Sequence, residues 1–459
     1  MKRFKNLVLS LFAVLIASPA FAQINLQPDL QYYRMPGYDG LNVFETGKLN
    51  DVEYDGFKVR VGGDFALQFQ AINHQSDWQP GLVTLGSNVN LPSANLNIDA
   101  QLLNGMRMHL RTYLSSKHHN EAWVKGGYIL VDRLDFIKEG FGDRFMDIFS
   151  FKIGMDDINY GDAHFRRSDN AMAIYNPFVG NYIMDAFTTE PFIEVYAYPA
   201  DFIVMVAVNN GYLNPTVVKT QTSRGTGNVT GEADNKVTFY SKLGWDSQVS
   251  EKLRVRITGS FYNAPGFSNG NHLYNGDRAG SRYYNVMDAL IDNGDGTQSV
   301  FSSDFSGRFN PGFNSETAFQ INPFVKFQGL EFFGIFEQTS GYNGGTSENL
   351  EKGSYTQIGA ELLYRFGSWD QFYVGGRYNT VSGNGSYVSG TNAPGKLEID
   401  RFNVGFGWFM TKNAMIKIEY VNQNYNENFN NPFSTFANNS AHLQNGNFNG
   451  AVIEAVLGF

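Results

Sequence analysis

The chain has 459 residues and a formal net charge of −9, and this acidic balance argues against nucleic acid as a partner, since surfaces that bind nucleic acid are rich in Lys and Arg. It contains no Cys, which excludes a disulfide framework and a thiolate metal site. Its 40 Phe, 25 Tyr and 49 Gly are typical of an aromatic, glycine-rich β protein, and its length suits two or three soluble domains or one large barrel.

Residues 1–22 have the pattern of a secretory signal peptide. Lys2, Arg3 and Lys5 precede an apolar run, and the segment ends on Ala20-Phe21-Ala22, the small-x-small pattern of a cleavage site. A lone membrane anchor is disfavoured, because the apolar run is shorter than the ~20 residues that span a bilayer. Cleavage would leave 437 residues and would move the formal charge to −12, since three basic side chains are removed.

Residues 23–56 follow as a leader without clear strand periodicity, since Pro28, Pro36 and several Gly and Asp residues interrupt it. We expect this leader to lie in the periplasm or to plug a barrel. From Phe57 to Ala71, apolar residues then alternate with polar or small ones. This alternation is much longer than an average strand of ~5–6 residues and suits a tilted membrane strand.

Comparable segments follow along the chain and bring the predicted number of strands to sixteen. They cover roughly residues 94–103, 105–115, 122–131, 147–156, 189–198, 201–210, 236–247, 252–262, 316–328, 330–338, 355–366, 372–382, 398–410, 413–425 and 448–459. An even number is what an antiparallel barrel with both ends on one side of the membrane needs. We therefore predict an all-β fold, a transmembrane antiparallel β-barrel of about 16 strands over residues 57–459.

The predicted connections alternate in length, and aromatic residues cluster at strand ends. The long connections cover residues 157–188, 211–235, 263–315, 383–397 and 426–447. Short turns on one side and long loops outside are typical of outer-membrane barrels. Aromatic residues are predicted to form interfacial girdles, and the alternative is the packed core of a soluble β protein. The girdle candidates include Tyr128, Phe402, Trp408, Tyr420 and Tyr425.

The last predicted strand ends on an aromatic residue. Ile453, Leu457 and Phe459 fall on one of its sides, whereas Glu454 and Gly458 fall on the other. This ending resembles the last strand of outer-membrane β-barrel proteins of Gram-negative bacteria, in which a C-terminal aromatic residue is part of what the barrel assembly machinery reads. The resemblance implies that Phe459 belongs to an assembly signal and that the protein lies among the lipids of the outer membrane of a Gram-negative bacterium. Pairing with the first strand would remove the open edge.

The polar side of the predicted strands, which faces the lumen of a barrel, is rich in cations. The predicted pore-lining residues are Lys58, Arg60, Arg107, Arg111, Lys125, Lys152, Arg254, Arg256, Arg377, Arg401 and, among fewer acids, Glu454. Rings of Arg and Lys are typical of anion-preferring pores. In this interpretation the surplus acids lie in loops and turns. The alternative is that many of the cations pair with lumenal carboxylates and keep the strands in register.

The connection over residues 157–188 is unusual, because a charged part is followed by an apolar run over residues 172–178. Its charged part contains Asp162, His164, Arg166, Arg167 and Asp169. Folding into the barrel would give the apolar run a wall to pack on and would place the charges across the channel as a constriction loop. The alternative is an external loop that packs on its neighbours or contacts another subunit.

No motif for catalysis or for a cofactor stands out. His118, His119 and Glu121 are metal-binding residue types, but adjacent residues in a strand or loop diverge, so a polar loop rim is the preferred interpretation. The run from Asp292 to Gly296 is similar to calcium loops but lacks their distal Glu, and we expect a tight turn in an external loop. The sequence therefore predicts no enzyme, no cofactor and no metal.

Three stretches, residues 40–45, 118–128 and 161–171, resemble an outer-membrane porin family related to the phosphate-selective porins. The resemblance implies a passive diffusion channel for small hydrophilic solutes, and porins of this size are often homotrimers. A lysine-rich phosphate site is not recognisable. Two alternatives stay open. One is an outer-membrane barrel enzyme, for which His109 and Ser115 are the nearest but wrongly spaced pair, and the other is a secreted glycan-binding β protein.

Overall fold

The computed structural model describes residues 27–46, 48, 52–89, 93–115, 119–169, 172–210, 217–222, 229–232, 236–265, 273–274, 283–301, 307–343, 349–430 and 440–459. The predicted signal peptide, residues 1–22, and residues 23–26 of the leader lie outside these ranges. Sixteen strands form one closed antiparallel β-barrel, which confirms the predicted fold class. They are β1 Lys58–Gln75, β2 Ser93–Leu103, β3 Met106–Ser115, β4 His119–Val131, β5 Phe149–Asp157, β6 Thr189–Ala197, β7 Phe202–Asn209, β8 Thr238–Ser250, β9 Leu253–Ala264, β10 Ser315–Phe327, β11 Leu330–Tyr342, β12 Gly353–Phe366, β13 Phe372–Asn384, β14 Leu397–Thr411, β15 Ala414–Tyr425 and β16 Asn447–Gly458.

The barrel closes between its first and last strands. Each strand pairs with the next along the chain, and β16 pairs with β1 in an unbroken register from Asp64 opposite Gly458 to Gln75 opposite Asn447. Phe459 extends this ladder, because its amide donates to the carbonyl of Gly63 at 2.9 Å and its carbonyl accepts from the amide of Gly63 at 3.0 Å. No edge of the sheet is left open at this seam.

The alternation along the strands separates an apolar outside from a polar inside. In β1, Phe65 and Phe69 are exposed on the outer surface, whereas Gln68 and Gln70 are buried inside. A soluble barrel would show the reverse, so this outer surface suits the apolar interior of a lipid bilayer. Among the residues that the structure describes, no helix has the length and apolar character needed to cross a membrane.

The connections lie on two sides of the barrel. The turn side carries the short connections over residues 104–105, 251–252 and 328–329, and the long segment 158–188 leaves the opposite, loop side. Two connections depart from the predicted alternation of lengths. Residues 132–148 form a long connection on the turn side, and only residues 116–118 join β3 to β4 on the loop side. The leader precedes β1 on the turn side.

Other long loops contain small hairpins of their own. Strand Ala289–Asp292 pairs with Gln298–Phe301, and Gly294 and Gly296 between them have positive φ angles of 77° and 82°. Only glycine adopts such angles without strain. Asp292 accepts a hydrogen bond from the amide of Gly294 at 2.9 Å, so this run is the tight turn that the sequence predicts.

Two members of the predicted aromatic girdles face inward instead. In β4 a β-bulge inserts Lys125 as an extra residue opposite β3, so Val124 and Ile129 both point outward although they are five positions apart. The shift turns Tyr128 into the lumen, where its hydroxyl accepts a hydrogen bond from an arginine. Tyr425 is buried because it falls on the inward phase of β15, and its assignment to the girdle is therefore wrong as well.

The outward position of Ile453 allows a test of how the barrel sits in the membrane. Ile453 lies in the middle of β16, whereas Leu457 lies near its turn-side end, and both are exposed. An Arg on the lipid face costs ~2–4 kcal/mol at the bilayer midplane and ~0–1 kcal/mol near the interface. We expect Ile453→Arg and Leu457→Arg to lower the free energy of unfolding in lipid vesicles by about these two amounts, respectively. Equal losses would contradict this placement.

Candidate pore and its constriction

The connection over residues 158–188, between β5 and β6, folds into the barrel. Its apolar run packs on inward side chains at the turn-side half of the wall, where Ile174 and Phe178 share a buried cluster with Phe409, Met415 and Val456. Burial of these side chains favours the inward position, because an external loop would leave them in water. The alternative of an external loop is therefore wrong for this segment, which we call the inward loop.

The charged part of the inward loop centres on Asp162, which is fully buried. Its carboxylate accepts hydrogen bonds from Nε of Arg256 at 2.8 Å and from Nζ of Lys242 at 2.9 Å. The same two cations contact Glu45 of the leader at 2.7 and 3.1 Å. Burial by itself would raise the pKa of both carboxyls, but attraction to Arg256 and Lys242 prevails and lowers the pKa of Asp162 and that of Glu45, the latter to about 2.

Two further ion pairs join the inward loop to distant parts of the wall. Arg166 donates from Nη2 to a carboxylate oxygen of Glu361 in β12 at 3.1 Å. Lys125 of β4 donates to Asp169 at 2.6 Å. Since β4 and β12 lie in different parts of the barrel, these pairs hold the loop across the lumen.

The remaining charged residues of the inward loop are held near the loop itself. Arg167 contacts Asp185 at 2.9 Å, within the same connection. His164 is buried, and its ring nitrogens lie 3.0 Å from oxygens of Asp157 and Asn159. All five charged residues predicted for the constriction are therefore buried inside the barrel.

The second half of the inward loop is bound mainly through its backbone. Lys417 of β15 donates from Nζ to three loop carbonyls at 2.7 to 3.0 Å. Glu419 accepts from the amide of Val179 at 2.7 Å, and Arg377 of β13 donates to the carbonyl of Gly180 at 2.7 Å. Charged wall residues thus satisfy backbone groups that a loop without regular structure would otherwise leave unpaired.

The leader contributes side chains to the same site from the turn side. Asn42 accepts a hydrogen bond from Arg166 at 2.6 Å and donates one to Glu331 at 2.7 Å. Phe44 is buried, with its ring 4.2 Å from the guanidinium carbon of Arg256. The sequence singles out residues 40–45 only by their resemblance to a porin family, and no pattern in the irregular leader predicts that they reach this site.

The predicted pore-lining residues lie on the inward side of the strands or at their turn-side ends, and most are paired with opposite charge. The pairs within 4 Å are Lys58 with Asp55, Arg107 with Asp99, Arg111 with Asp156 and Asp157, Lys125 with Asp169, Lys152 with Glu194, Arg254 with Asp246, Arg256 with Asp162, Glu45 and Asp246, Arg377 with Glu361, and Glu454 with Lys417. Arg60 and Arg401 contact neutral oxygens, of Pro28 at 3.4 Å and of Gln423 at 2.6 Å. Whether a solute passes these residues stays a prediction.

The wall is less basic than the sequence suggests. Sequence analysis expected the surplus acids in loops and turns, but Asp156, Glu316, Glu331 and Glu337 are buried on the inward side of β5, β10 and β11. Whether these side chains point into the lumen or towards lipid depends on the bounds and register of their strands, which the structure provides. Glu331 in β11, for example, forms an ion pair with Arg365 in the neighbouring strand β12 at 2.9 Å. The interior therefore contains side chains of both charge signs, many of them in ion pairs.

A cavity of about 180 Å³ lies on the turn side of the inward loop, between this loop, the leader and strands that include β3 and β5. Arg34, Arg111, Lys152 and His109 are among its lining residues. His109 is buried and contacts Asp99 through Nδ1 at 3.0 Å, and its Nε2 has no hydrogen-bond partner in the described part of the chain. The space exceeds by far the ~10–15 Å³ that one water needs, and its lining combines charged with aromatic and aliphatic side chains.

The structure brings no metal-binding group together in the residues that it describes, where no three His, Asp or Glu side chains form such a cluster. The metal candidate considered from sequence, His118 with the side chains of His119 and Glu121, lies outside the described residues. The same holds for the side chain of Ser115, the partner weighed for His109 in an enzyme. The expected absence of metal and catalysis stays a prediction.

A comparison with protein-family models finds no match, and a comparison with curated proteins finds none either. Among solved structures, the chain is similar to OmpT, an outer membrane protein of Vibrio cholerae, with 10% identity, a TM-score of 0.48, and coverage of 89% of this chain and 99% of that one. It is also similar to the outer membrane channel DcaP of Acinetobacter baumannii, with 9% identity, a TM-score of 0.47, and coverage of 89% and 99%. An anion-selective porin from Comamonas acidovorans shares 8% identity, a TM-score of 0.47, and coverage of 88% and 100%. These likenesses identify no family, and the relationship to phosphate-selective porins stays a prediction.

Proposed function

We propose that the protein is an outer-membrane channel for the passive diffusion of small hydrophilic solutes, with the inward loop and the leader as its constriction. The observation that supports this most is the charged interior of a barrel whose outside is apolar. Ionisable side chains at membrane depth are costly, and they mark pathways for water, ions or solutes. A soluble glycan-binding protein does not fit the apolar outer surface. Contacts with outer-membrane lipids and with the barrel assembly machinery, and assembly as a homotrimer, belong to the same proposal.

The proposed channel should prefer anions only modestly. Most wall cations are neutralised by carboxylates, which cancels much of their field for a passing ion. Arg34 differs, because it lines the cavity and its donors meet the carbonyls of Gly40 and Phe165 at 3.1 Å. At an effective dielectric of about 20, one charge at ~4 Å contributes about 4 kcal/mol before desolvation is subtracted. Salt weakens this attraction by screening.

Reversal potentials across a salt gradient in planar bilayers test this proposal. We expect the wild-type channel to prefer anions modestly at low ionic strength, with the preference fading in molar salt. Arg34→Gln should move the reversal potential towards zero, since it removes a cavity cation that forms no ion pair with a carboxylate in the described part of the chain. Lys412→Gln is the matched control, because Lys412 pairs with Asp39 at 2.9 Å on the exposed turn-side rim. A cation preference of the wild type would refute the proposed selectivity, and an absence of any conductance would refute the channel.

A further inference from the structure

The turn-side connection between β4 and β5, residues 132–148, is a folded unit rather than a simple turn. We call it the turn-side excursion. It consists of consecutive hydrogen-bonded turns and one short helix, Asp143–Met146. Backbone hydrogen bonds close these turns. For example, the amide of Ile137 donates to the carbonyl of Leu134 at 2.9 Å, and the amide of Phe141 donates to the carbonyl of Lys138 at 2.9 Å. Much of its backbone is therefore satisfied within the excursion.

The base of the turn-side excursion is fixed to the barrel. Met146 is fully buried, and its carbonyl accepts a hydrogen bond from Lys48 of the leader. Asp132 at the other end is buried and contacts Lys48 at 2.6 Å, and the amide of Tyr198 donates to the carbonyl of Ile148 at 3.0 Å. The excursion thus has a defined position beside the turn-side rim.

Its free surface contains large apolar side chains beside the exposed charges of Lys138, Glu139, Asp143, Arg144 and Asp147. Phe136, Ile137, Phe141, Phe145 and Ile148 are between 41% and 58% exposed. Five exposed large apolar side chains within this one connection are of the kind that marks a membrane or protein contact. Water-exposed turns of other barrels are short and polar, so this composition needs a separate explanation.

The apolar surface continues the lipid-facing surface of the barrel. The ring of Phe145 stacks on that of Phe149 at 4.3 Å between centroids, with Phe151 at 6.2 Å. Phe149 and Phe151 share the outward phase of β5 with the exposed Ile153. The excursion therefore extends the outer surface of the barrel past the end of β5.

We propose that the turn-side excursion inserts its apolar side chains into the adjacent lipid leaflet and anchors this side of the barrel at the headgroup boundary. Interfacial elements of this kind bury apolar side chains ~5–10 Å into that boundary. Phospholipid is the occupant that fits, because the surface is continuous with the apolar outside of the barrel and several of its backbone amides are bonded within the excursion. Arg133 is held by Asp143 and Asp147 at 3.6 and 3.0 Å, so attraction to lipid phosphates would come from the exposed Lys138 and Arg144 and would add to the apolar contact. This inference does not depend on conduction.

Single cysteine labels test the proposal, since the natural chain contains no Cys. Phe141→Cys and Phe136→Cys are each labelled with an environment-sensitive fluorophore and reconstituted in phosphatidylethanolamine and phosphatidylglycerol vesicles, with or without brominated acyl chains. Ile153→Cys on the lipid-facing side of β5 is the positive control. Asp295→Cys at the exposed hairpin of the loop side is the negative control.

We expect both labels on the excursion to show blue-shifted emission and to be quenched by brominated lipid at least half as strongly as the label at position 153. The label at position 295 should show neither effect. Quenching no stronger than at position 295 would overturn the proposal. Emission that is blue-shifted without lipid quenching, and that changes when labelled protein is diluted with unlabelled protein, would also overturn it and would indicate a second copy as the occupant.

Discussion

Replacement of Asp162 by Asn is expected to lower the free energy of unfolding by about 3–5 kcal/mol, because removal of one partner leaves buried charge uncompensated. In the wild type, Arg256 and Lys242 share two carboxylates, those of Asp162 and Glu45. In the variant Glu45 remains as the carboxylate that both cations share, and Arg256 keeps its contact with Asp246 at 3.1 Å. Urea denaturation of the folded protein in lipid vesicles measures the loss.

Asp295→Asn is the matched control, because it removes the same charge from the exposed hairpin and should leave the stability unchanged. An Asp162→Asn variant as stable as the control would show that the cluster is hydrated and that the inward loop is not fixed by it.

The cluster of Asp162, Glu45, Arg256 and Lys242 also predicts that stability depends on pH in the acid range. The pKa of Glu45 is lowered from 4.5 to about 2, so its contribution to stability is fully present above about pH 4.5 and is lost as the pH falls towards 2.

Deletion of residues 27–46 is expected to raise the single-channel conductance severalfold. This segment lies in the turn-side opening, where Asn42, Phe44 and Glu45 contact the inward loop and the wall. Its removal should widen the narrowest part of the path and expose Arg256 and Lys242 to water. Recordings in planar bilayers at molar salt measure the change with little influence of fixed charge.

Asp39→Asn is the control for the deletion, because Asp39 is an exposed leader residue that contacts only the rim at Lys412 in the described part of the chain. Its conductance should equal that of the wild type. Resistance of the folded barrel to unfolding by detergent and heat shows whether the deletion variant is still assembled. An assembled deletion variant with unchanged conductance would place the leader outside the conducting path.

The sequence by itself determined which side faces outward in strands of regular alternation, such as β1 and β16. Alternation in a strand is a local property, since successive side chains point to opposite faces whatever the rest of the chain does. Phe65 and Ile453, for example, are assigned to the outside by their neighbours alone. The same local pattern gave the number of strands, because polar turns and loops interrupt it at each reversal. The composition of the inward loop also favoured a position inside the barrel, since an apolar run next to charged residues needs a wall to pack on.

The tertiary structure alone decided which polar and charged side chains contact one another. Asn42 and Glu331 are separated by 289 positions, and Arg166 and Glu361 by 195, so their contacts depend on barrel closure and on strand register rather than on local pattern. One extra residue at Lys125 reverses the phase of the rest of β4 and moves Tyr128 from the lipid side to the lumen. No periodicity places the leader in the turn-side opening, because an irregular segment is positioned by the partners that it finds there. The interior is therefore a network of paired charges, and its electrostatic character follows from three-dimensional proximity rather than from composition.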